Sequence, residues 1–360
     1  MLKPWRGWTC RLFTLGLSGL IIAGLPGDRL QAADGKPSPM AAGTGLPAAQ
    51  VRVIRQIPDR LAALGRKLFF DPRLSKNGDT ACATCHRADQ GFTETDRATA
   101  RGLDGKPLRR SAPTVFNVAF MESLFADGRA EDLESQALQP LVDAREMGNG
   151  SLDEVIARLR RLPDYHGRFE NVFGRPVDAD GLAAAIAGFE RRLIAADSPF
   201  DRWYLGSDEK ALIPAAKRGF ELFRGKGQCS TCHLVFDDYA LFIDNRFHNT
   251  GLAWKNAQAA MKAGRQPDYG RAEVTGRASD RFKFKTPTLR NIAATAPYMH
   301  DGSMASLADV VRFYNNGGVA NPTRDPLIRP LSMSEAEIAD LVAFLESLTS
   351  PQVARWRQIK

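Results

Sequence analysis

Residues 81–90 read ACATCHRADQ and residues 228–237 read QCSTCHLVFD, so the chain carries the pattern Cys-x-x-Cys-His twice. A disulfide within one pair would suit a redox motif, but it would not require the adjacent histidine. Structural zinc usually takes its second cysteine pair from about 15 to 20 residues downstream, whereas Cys82 and Cys229 are 147 residues apart. Covalent c-type haem accounts for every position, because two thiols bind the porphyrin and the adjacent histidine ligates the iron. The repeated motif therefore predicts two haems c, attached at Cys82, Cys85, Cys229 and Cys232.

Cysteine usage favours the same interpretation. Of the five cysteines in the chain, only Cys10 lies outside the two motifs. An exported protein meets oxidising conditions in which loose thiols are a liability, so the other four are expected to be committed to bonds. We expect His86 and His233 to be the proximal ligands of the two irons.

The first 32 residues have the pattern of a secretory signal peptide. Basic residues at positions 3, 6 and 11 precede an uncharged run over 12–26, and small residues offer a cleavage site that ends at Ala32. The run is short for a membrane span, although an uncleaved anchor is the alternative. Cleavage would remove four basic residues and one acidic residue, which lowers the formal net charge from +8 to +5. The processed chain is therefore predicted to be exported and not integral to a membrane, and it lacks the basic runs of a nucleic-acid groove.

The chain also shows signs of an internal duplication. GRKLFF at 65–70 and GFELFR at 219–224 each place a glycine and a Leu-Phe pair shortly before a Cys-x-x-Cys-His motif. Each half then ends in an amphipathic helix. The apolar faces of these helices carry Leu182, Ile186, Phe189 and Leu193 in one half, and Ile338, Leu341, Leu345 and Leu348 in the other.

Strand patterns are almost absent, so the predicted fold is mainly α, with two cytochrome c-like helical domains. The predicted bounds are 33–205 and 206–360, with a junction over 195–214. Ser151 with Glu154 predicts the start of a helix that runs to about Leu162, and Ser332 with Glu335 predicts the start of the last amphipathic helix.

The second axial ligand decides the chemistry of each haem, because an iron with one open face can bind peroxide or oxygen. The chain has five histidines, and three remain once the proximal pair is assigned. These are His166, His248 and His300, and none lies between His86 and His166. His166 follows Pro163 in a segment typical of a surface turn. We therefore expect the first haem to be five-coordinate.

For the second haem, residues 297–318 read PYMHDGSMASLADVVRFYNNGG. Ser306 predicts the start of a short helix and Asn316 its end. Tyr314 lies on the apolar face of this helix, although an inward tyrosine is more often a core residue than a ligand. Met304 is a competing soft ligand, and methionine at such positions is also usually core. The residues alone leave these alternatives open.

Six segments together resemble the bacterial dihaem cytochrome c peroxidases and, most closely, the MauG proteins of methylamine utilisation. They read FFDPRLSKNGDTACATCH, ADGRAEDLESQALQPL, REMG, GQCSTCH, FKTPTLRNIAATAPYMHDG and RFYNNGG, and the resemblance spans about residues 60 to 350. In the peroxidases a methionine ligates the electron-transfer haem fourteen residues after the histidine of a motif similar to PYMHDG. In this chain Tyr314 stands fourteen residues after His300, which is the MauG pattern. The resemblance thus implies that Tyr314 ligates the second haem.

The resemblance also implies further site residues. Glu146 matches the family's distal glutamate, which would move a proton during O–O cleavage. Gln136 and Pro140 match its neighbours in the distal pocket. His248 and His300 match positions near the second haem, where they would contact propionates or support ligands, although each could equally be a satisfied buried histidine.

Two positions depart from the family pattern. A tryptophan usually precedes Asp-Gly-Arg between the haems, whereas this chain has Phe125 and Ala126 there. Electron transfer between the irons would then proceed directly or through another aromatic residue such as Tyr298 or Trp254. The family's inter-haem calcium uses an asparagine where this chain has Ser111. Calcium could still bind through Ser111, carbonyls near Gly276 and water.

Three functions are therefore compatible with the sequence. The MauG resemblance implies a periplasmic enzyme that uses hydrogen peroxide to oxidise a protein, the light subunit of methylamine dehydrogenase, and so matures its tryptophan tryptophylquinone cofactor. The second is a cytochrome c peroxidase that reduces hydrogen peroxide with electrons from a small cytochrome or copper protein. The third is a non-catalytic electron carrier. Tyr314 argues against the second, Glu146 against the third, and the loss of the relay tryptophan weakens the first.

Overall fold

The computed structural model describes residues 45–358, so the predicted signal peptide lies outside the described residues. Helices dominate this part of the chain, which confirms the mainly α prediction. The helices are α1 (Ala48–Arg55), α2 (Asp59–Phe69), α3 (Cys82–Cys85), α4 (Leu133–Val142), α5 (Leu152–Arg161), α6 (Arg168–Phe173), α7 (Ala179–Arg191), α8 (Pro199–Tyr204), α9 (Pro214–Arg224), α10 (Leu252–Lys262), α11 (Ala272–Thr275), α12 (Leu307–Asn315), α13 (Glu335–Glu346) and α14 (Pro351–Arg357). Strands β1 (Phe247–His248) and β2 (Phe284–Lys285) pair antiparallel, with Phe247 opposite Lys285. Within residues 45–358, each helix is too short or too polar to cross a membrane.

Among residues 45–358, two large buried clusters supply most of the core, and a smaller one contains Leu124, Ala130, Leu133 and Ala187. In the first, α2 and α7 pack face to face, with α4 and α5 against α7. In the second, α9 packs on α13, and α12 packs beside it. All eight residues of the predicted apolar faces on α7 and α13, including the residues that follow each helix, are buried, which confirms the amphipathic pattern. Burial of each large apolar side chain stabilises the fold by roughly 1.5–3 kcal/mol.

The Gly and Leu-Phe pattern has a packing cause that applies to both halves. A Cβ at Gly65 would collide with the Ala185 carbonyl across the α2–α7 contact, and a Cβ at Gly219 would collide with the Asp340 carbonyl across the α9–α13 contact. Glycine therefore lets each helix pair approach closely. The phenylalanine four residues later in each segment is fully buried. The same kind of helix pair therefore occurs once in each half of the chain.

One predicted helix start is confirmed by the structure, and another is wrong. The Ser151 side chain accepts a hydrogen bond from the Glu154 N–H at the start of α5, as predicted. The predicted start of the last amphipathic helix at Ser332 is wrong, because Ser334 caps α13 and pairs reciprocally with Glu337. Ser332 has a φ of 57°, whereas a capping residue is typically extended. Two Ser-x-x-Glu patterns overlap here, and the backbone selects the second.

Contacts cross the predicted domain boundary at both ends of the described chain. The last helix, α14, places Val353 in the first cluster and packs Trp356 against it. At the other end, Arg290 donates to the Gly45 carbonyl at 2.5 Å and forms a buried ion pair with Asp201 at 2.8 Å. The division at 205/206 stays a prediction.

Candidate functional site

One cavity of about 880 Å³ reaches both Cys-x-x-Cys-His motifs. The side chains of Cys82, Cys85, Cys229 and Cys232 all lie on its wall. All four thiols are free of disulfides among the described residues. Both motifs therefore present unbonded sulfur to one cavity, as covalent attachment of a prosthetic group requires.

The first motif forms the single turn α3, and His86 follows it directly. His86 Nδ1 lies 3.2 Å from the Phe92 carbonyl oxygen. Burial lowers the pKa of His86, while contacts with the carbonyls of Phe92 and Pro113 act against this. A neutral imidazole that donates from Nδ1 keeps Nε2 for a metal. The surroundings of His86 thus suit an axial ligand.

The second motif repeats this arrangement. His233 Nδ1 lies 2.8 Å from the Phe242 carbonyl oxygen. Burial again lowers the pKa of His233, opposed by the carbonyls of Phe242 and Pro287. Phe92 and Phe242 are both fully buried and both have a φ of 56°. The duplication therefore extends to the backbone that orients each histidine.

Tyr314 lies on the inward face of α12, where it lines the cavity with Leu307, Val310 and Val311. The predicted helix start is confirmed, since Ser306 accepts a hydrogen bond from the Asp309 N–H. Burial raises the pKa of Tyr314. Within residues 45–358, nothing hydrogen-bonds to its hydroxyl, so the oxygen has an unused lone pair. Met304 is not among the described residues that line the cavity.

Glu146, Gln136 and Pro140 meet at the same cavity. The Pro140 carbonyl accepts a hydrogen bond from the Met147 N–H at 3.2 Å, which ties the turn carrying Glu146 to the end of α4. Burial, followed by repulsion from the nearby Asp143 carboxylate, raises the pKa of Glu146. A carboxyl with a raised pKa accepts a proton more readily than an exposed glutamate, which suits a group that exchanges protons in a reaction.

His248 lies between two carboxylates. Its Nδ1 is 2.6 Å from Asp325 Oδ2 and its Nε2 is 2.8 Å from Asp244 Oδ2. Contact with the Cys232 sulfur, together with both carboxylates, raises the pKa of His248 to about 10 in spite of burial. Cys232, Asp244 and His248 are close enough to suggest a metal site. However, both nitrogens of His248 already bind carboxylates, so the geometry favours a charged, fixed imidazolium.

The other two histidines differ in burial. The His300 ring stacks on Phe284 with centroids 4.1 Å apart, and burial lowers the pKa of His300. It lines the cavity, as does His248. His166 is exposed on a turn, as the sequence predicted, with Nε2 3.2 Å from the Arg160 carbonyl oxygen.

Three further predicted positions lie on the wall of this cavity. Phe125 and Ala126 line it, and the Ala126 carbonyl accepts a hydrogen bond from the Lys285 N–H at 2.8 Å. Ser111 also lines it, but its Oγ donates to the Met299 carbonyl at 3.1 Å. The Ser111 hydroxyl is therefore already engaged, and calcium binding stays a prediction.

Three side chains at or near the site were not predicted. Glu190 and Lys285 both line the cavity. Burial raises the pKa of Glu190 to about 8 and lowers that of Lys285 to about 8. Trp356 packs edge-on against Phe92, with centroids 4.9 Å apart, and so supports the residue whose carbonyl holds His86. Glu190 and Trp356 lie outside the six segments that resemble the family, and Lys285 lies within FKTPTLRNIAATAPYMHDG without having been singled out; only tertiary burial reveals these three side chains.

Comparisons with known proteins agree with this geometry. Residues 59–209 match the family described as di-haem cytochrome c peroxidase. The methylamine utilization protein MauG of Methylorubrum extorquens is 42% identical over 300 residues, covering 82% of this chain and 80% of the relative. The cytochrome c551 peroxidase of Pseudomonas aeruginosa is 35% identical over 299 residues, covering 82% and 80%.

A solved structure extends the likeness to the fold. The crystal structure of a MauG-like protein associated with microbial copper homeostasis superposes with a TM-score of 0.73 at 33% identity. The match covers 88% of this chain and 95% of that protein. Motifs, cavity and relatives agree, and the chain therefore belongs to the di-haem cytochrome c peroxidase and MauG family of oxidoreductases.

Proposed function

We propose that this chain is an exported, periplasmic enzyme that carries two covalently attached haems c and uses hydrogen peroxide to oxidise a protein partner. The observation that carries the proposal is the shared cavity, which is lined by both Cys-x-x-Cys-His motifs, Glu146 and Tyr314. An electron carrier without catalysis would need no buried proton-exchanging carboxyl beside one motif, so the carrier hypothesis is less well supported.

The chain's own residues suit two such groups. Cys82 and Cys85 would hold the first haem through thioether bonds, with His86 as its proximal ligand. Cys229 and Cys232 would hold the second, with His233 as a ligand of its iron. When bound, haem supplies an iron centre that can bind peroxide at an open face and exchange electrons. A backbone carbonyl orients both histidines in the same way. The chemistry of the two sites is therefore expected to differ through the other residues that line the cavity.

On the first haem, Glu146 would hold and move the proton of the reaction. In its ionised form, Glu146 would accept a proton from one peroxide oxygen and return it to the departing oxygen. The raised pKa of Glu146 makes its carboxylate a stronger proton acceptor than that of an exposed glutamate. Gln136 would orient peroxide by hydrogen bonding, and Pro140 would fix the turn that carries Glu146.

On the second haem, Tyr314 would be the distal ligand. A phenolate is a hard anionic donor that stabilises oxidised iron, as the tyrosine of catalase illustrates. Burial disfavours a free phenolate at Tyr314, so its deprotonation would require the bound metal. Tyr314 would thus favour the oxidised state of the group held there, which fits oxidation of a partner better than the uptake of electrons from a donor.

The identity of the partner separates two functions within the family. The MauG-like function would oxidise the light subunit of methylamine dehydrogenase to complete its tryptophan tryptophylquinone. The alternative is peroxide reduction with electrons from a small cytochrome or copper protein. Ala126 weakens the first candidate, since it takes the place of the tryptophan that would relay oxidising equivalents between the haems.

Mass spectrometry and spectroscopy test the proposal directly. The mass of the processed protein should exceed that of the polypeptide by two haems, and Cys82→Ala with Cys85→Ala should remove one. Electron paramagnetic resonance of the ferric protein should show one high-spin and one low-spin haem. A polypeptide without attached porphyrin, or two low-spin haems at rest, would contradict the proposal. Incubation with peroxide and either precursor methylamine dehydrogenase or a reduced small cytochrome then distinguishes the two partners.

A further inference from the structure

Glu190, near the C-terminal end of α7, is a buried carboxyl with no assigned role. It is only 6% exposed, yet it lines the cavity. Within residues 45–358, its Oε2 has no hydrogen-bond partner. An ionised carboxylate without a partner costs several kcal/mol to bury. Glu190 is therefore expected to be neutral when its surroundings carry no positive charge, and to ionise when they do.

Few charges act on Glu190. Arg191 is the adjacent cation, but its guanidinium donates two hydrogen bonds of 2.6 Å to Glu134 of α4. Cys82 of α3 is close enough that, after burial, the charge of the Glu190 carboxylate raises the pKa of its thiol. The charges of α2 are engaged elsewhere or exposed: Lys67 pairs with Asp164, Asp59 pairs with Arg192, Arg66 lies over the Phe70 ring, and Arg60 faces solvent. The charges of α5, which also packs on α7, are likewise engaged or exposed: Arg158 donates to the Arg73 and Ser75 carbonyls, Arg160 donates to the Val177 carbonyl, Glu154 accepts from the Gly150 N–H, and Asp153 and Arg161 face solvent.

Together these surroundings place the pKa of Glu190 within the physiological range. Burial raises the pKa to about 8, with Arg191 acting against the rise and Glu134 adding to it. A small change in the local charge would therefore change the protonation of Glu190 at neutral pH.

The internal duplication provides a control within the same chain. The α2–α7 crossing at Ala185 corresponds to the α9–α13 crossing at Asp340. The same offset of 155 residues places Glu190 opposite Leu345. Leu345 is 7% exposed and also lines the cavity. The fold thus accepts leucine at this position, so the carboxyl beside the first motif is not a packing requirement.

We propose that Glu190 binds a proton from solvent when the first haem gains an electron, and releases it when that electron leaves. This inference rests on the proposed function, because it requires a haem at Cys82 and Cys85. The added negative charge in a low-dielectric site disfavours the carboxylate, so one electron and one proton arrive together and leave together. Glu190 would in this way compensate charge at the first haem, whereas Leu345 offers no proton-binding group at the equivalent position.

Spectroelectrochemical titration of the haem-loaded chain at a series of pH values tests this coupling. In the wild type, the reduction equilibrium of the first haem should change by about tenfold per pH unit where Glu190 titrates, since one proton is coupled. Glu190→Gln and Glu190→Leu should both remove the part of this dependence that follows the titration of Glu190, and both should leave the second haem unchanged. Glu134→Gln should move the transition to lower pH, because Glu134 raises the pKa of Glu190.

An infrared reading separates this role from a structural one. The redox difference spectrum should contain a protonated-carboxyl C=O band that disappears in Glu190→Gln. A wild-type pH dependence in Glu190→Gln, or an unchanged band, would overturn the inference. Glu190→Leu keeps the test usable if the glutamine variant folds poorly, since leucine occupies the equivalent position in the other half. A chain without attached haem would instead refute the proposed function, and the intact mass distinguishes that failure.

Discussion

Replacement of Glu146 by glutamine should slow the reaction with peroxide while leaving haem attachment intact. Glutamine matches the shape of Glu146 but cannot accept a proton. Positioned general acid–base groups contribute about 10²–10⁴-fold to a rate, which corresponds to about 2.7–5.5 kcal/mol of barrier. Asp143, whose carboxylate repels that of Glu146, is a poor substitute because its Oδ1 already accepts a hydrogen bond of 2.8 Å from the Arg145 N–H. We therefore expect the loss in Glu146→Gln to be about 10³-fold.

The pH dependence of the same reaction identifies the group. Burial and repulsion from Asp143 raise the pKa of Glu146, and the base must be ionised to act. The rate should therefore rise with pH through this elevated pKa and fall as the carboxyl becomes protonated. Asp143→Asn removes the repulsion and lowers the pKa of Glu146, so the variant should keep its rate to lower pH than the wild type.

Stopped-flow absorbance of the haem band, recorded after mixing with peroxide, measures both effects. Glu131→Gln, which changes an exposed glutamate, is the matched control and should react like the wild type. A wild-type rate in Glu146→Gln would remove this residue from the mechanism. An unchanged pH profile in Asp143→Asn would show that a different group titrates.

Three other substitutions have defined outcomes. Tyr314→Met should raise the midpoint potential of the second haem and leave the first unchanged, because methionine stabilises reduced iron; a redox titration that finds no change would show that Tyr314 is not a ligand. Asp201→Asn should lower the free energy of unfolding by about 3–5 kcal/mol, since it leaves the buried Arg290 without its carboxylate, and denaturant unfolding measures this loss. Gly65→Ala should destabilise the chain by about 1–3 kcal/mol through collision with the Ala185 carbonyl; thermal unfolding at the wild-type temperature would refute the close-packing explanation.

The features that could be predicted from sequence are those with a local pattern. The apolar faces of α7 and α13, the start of α5 and the inward position of Tyr314 all follow from helical periodicity and capping residues. The sequence does not show which of two overlapping capping patterns starts α13, because the choice depends on the left-handed backbone at Ser332. Glu190 was missed for a related reason. A glutamate followed by two arginines at a helix end resembles a solvated surface, and only the packing of α7 on its neighbours buries it.

The duplication shows where the two halves differ in chemistry. Their scaffolds are nearly equivalent, because each has a glycine-mediated helix crossing and a histidine held by the carbonyl of a buried phenylalanine. The differences are in the side chains that line the common cavity, where Glu146 and Glu190 belong to the first half and Tyr314 and Leu345 to the second. The first half thus provides carboxyls that can exchange protons, whereas the second half provides the oxygen of Tyr314 and the apolar side chain of Leu345. Since the backbone is alike in both, exchanging these few side chains should alter proton coupling and potential without altering the fold.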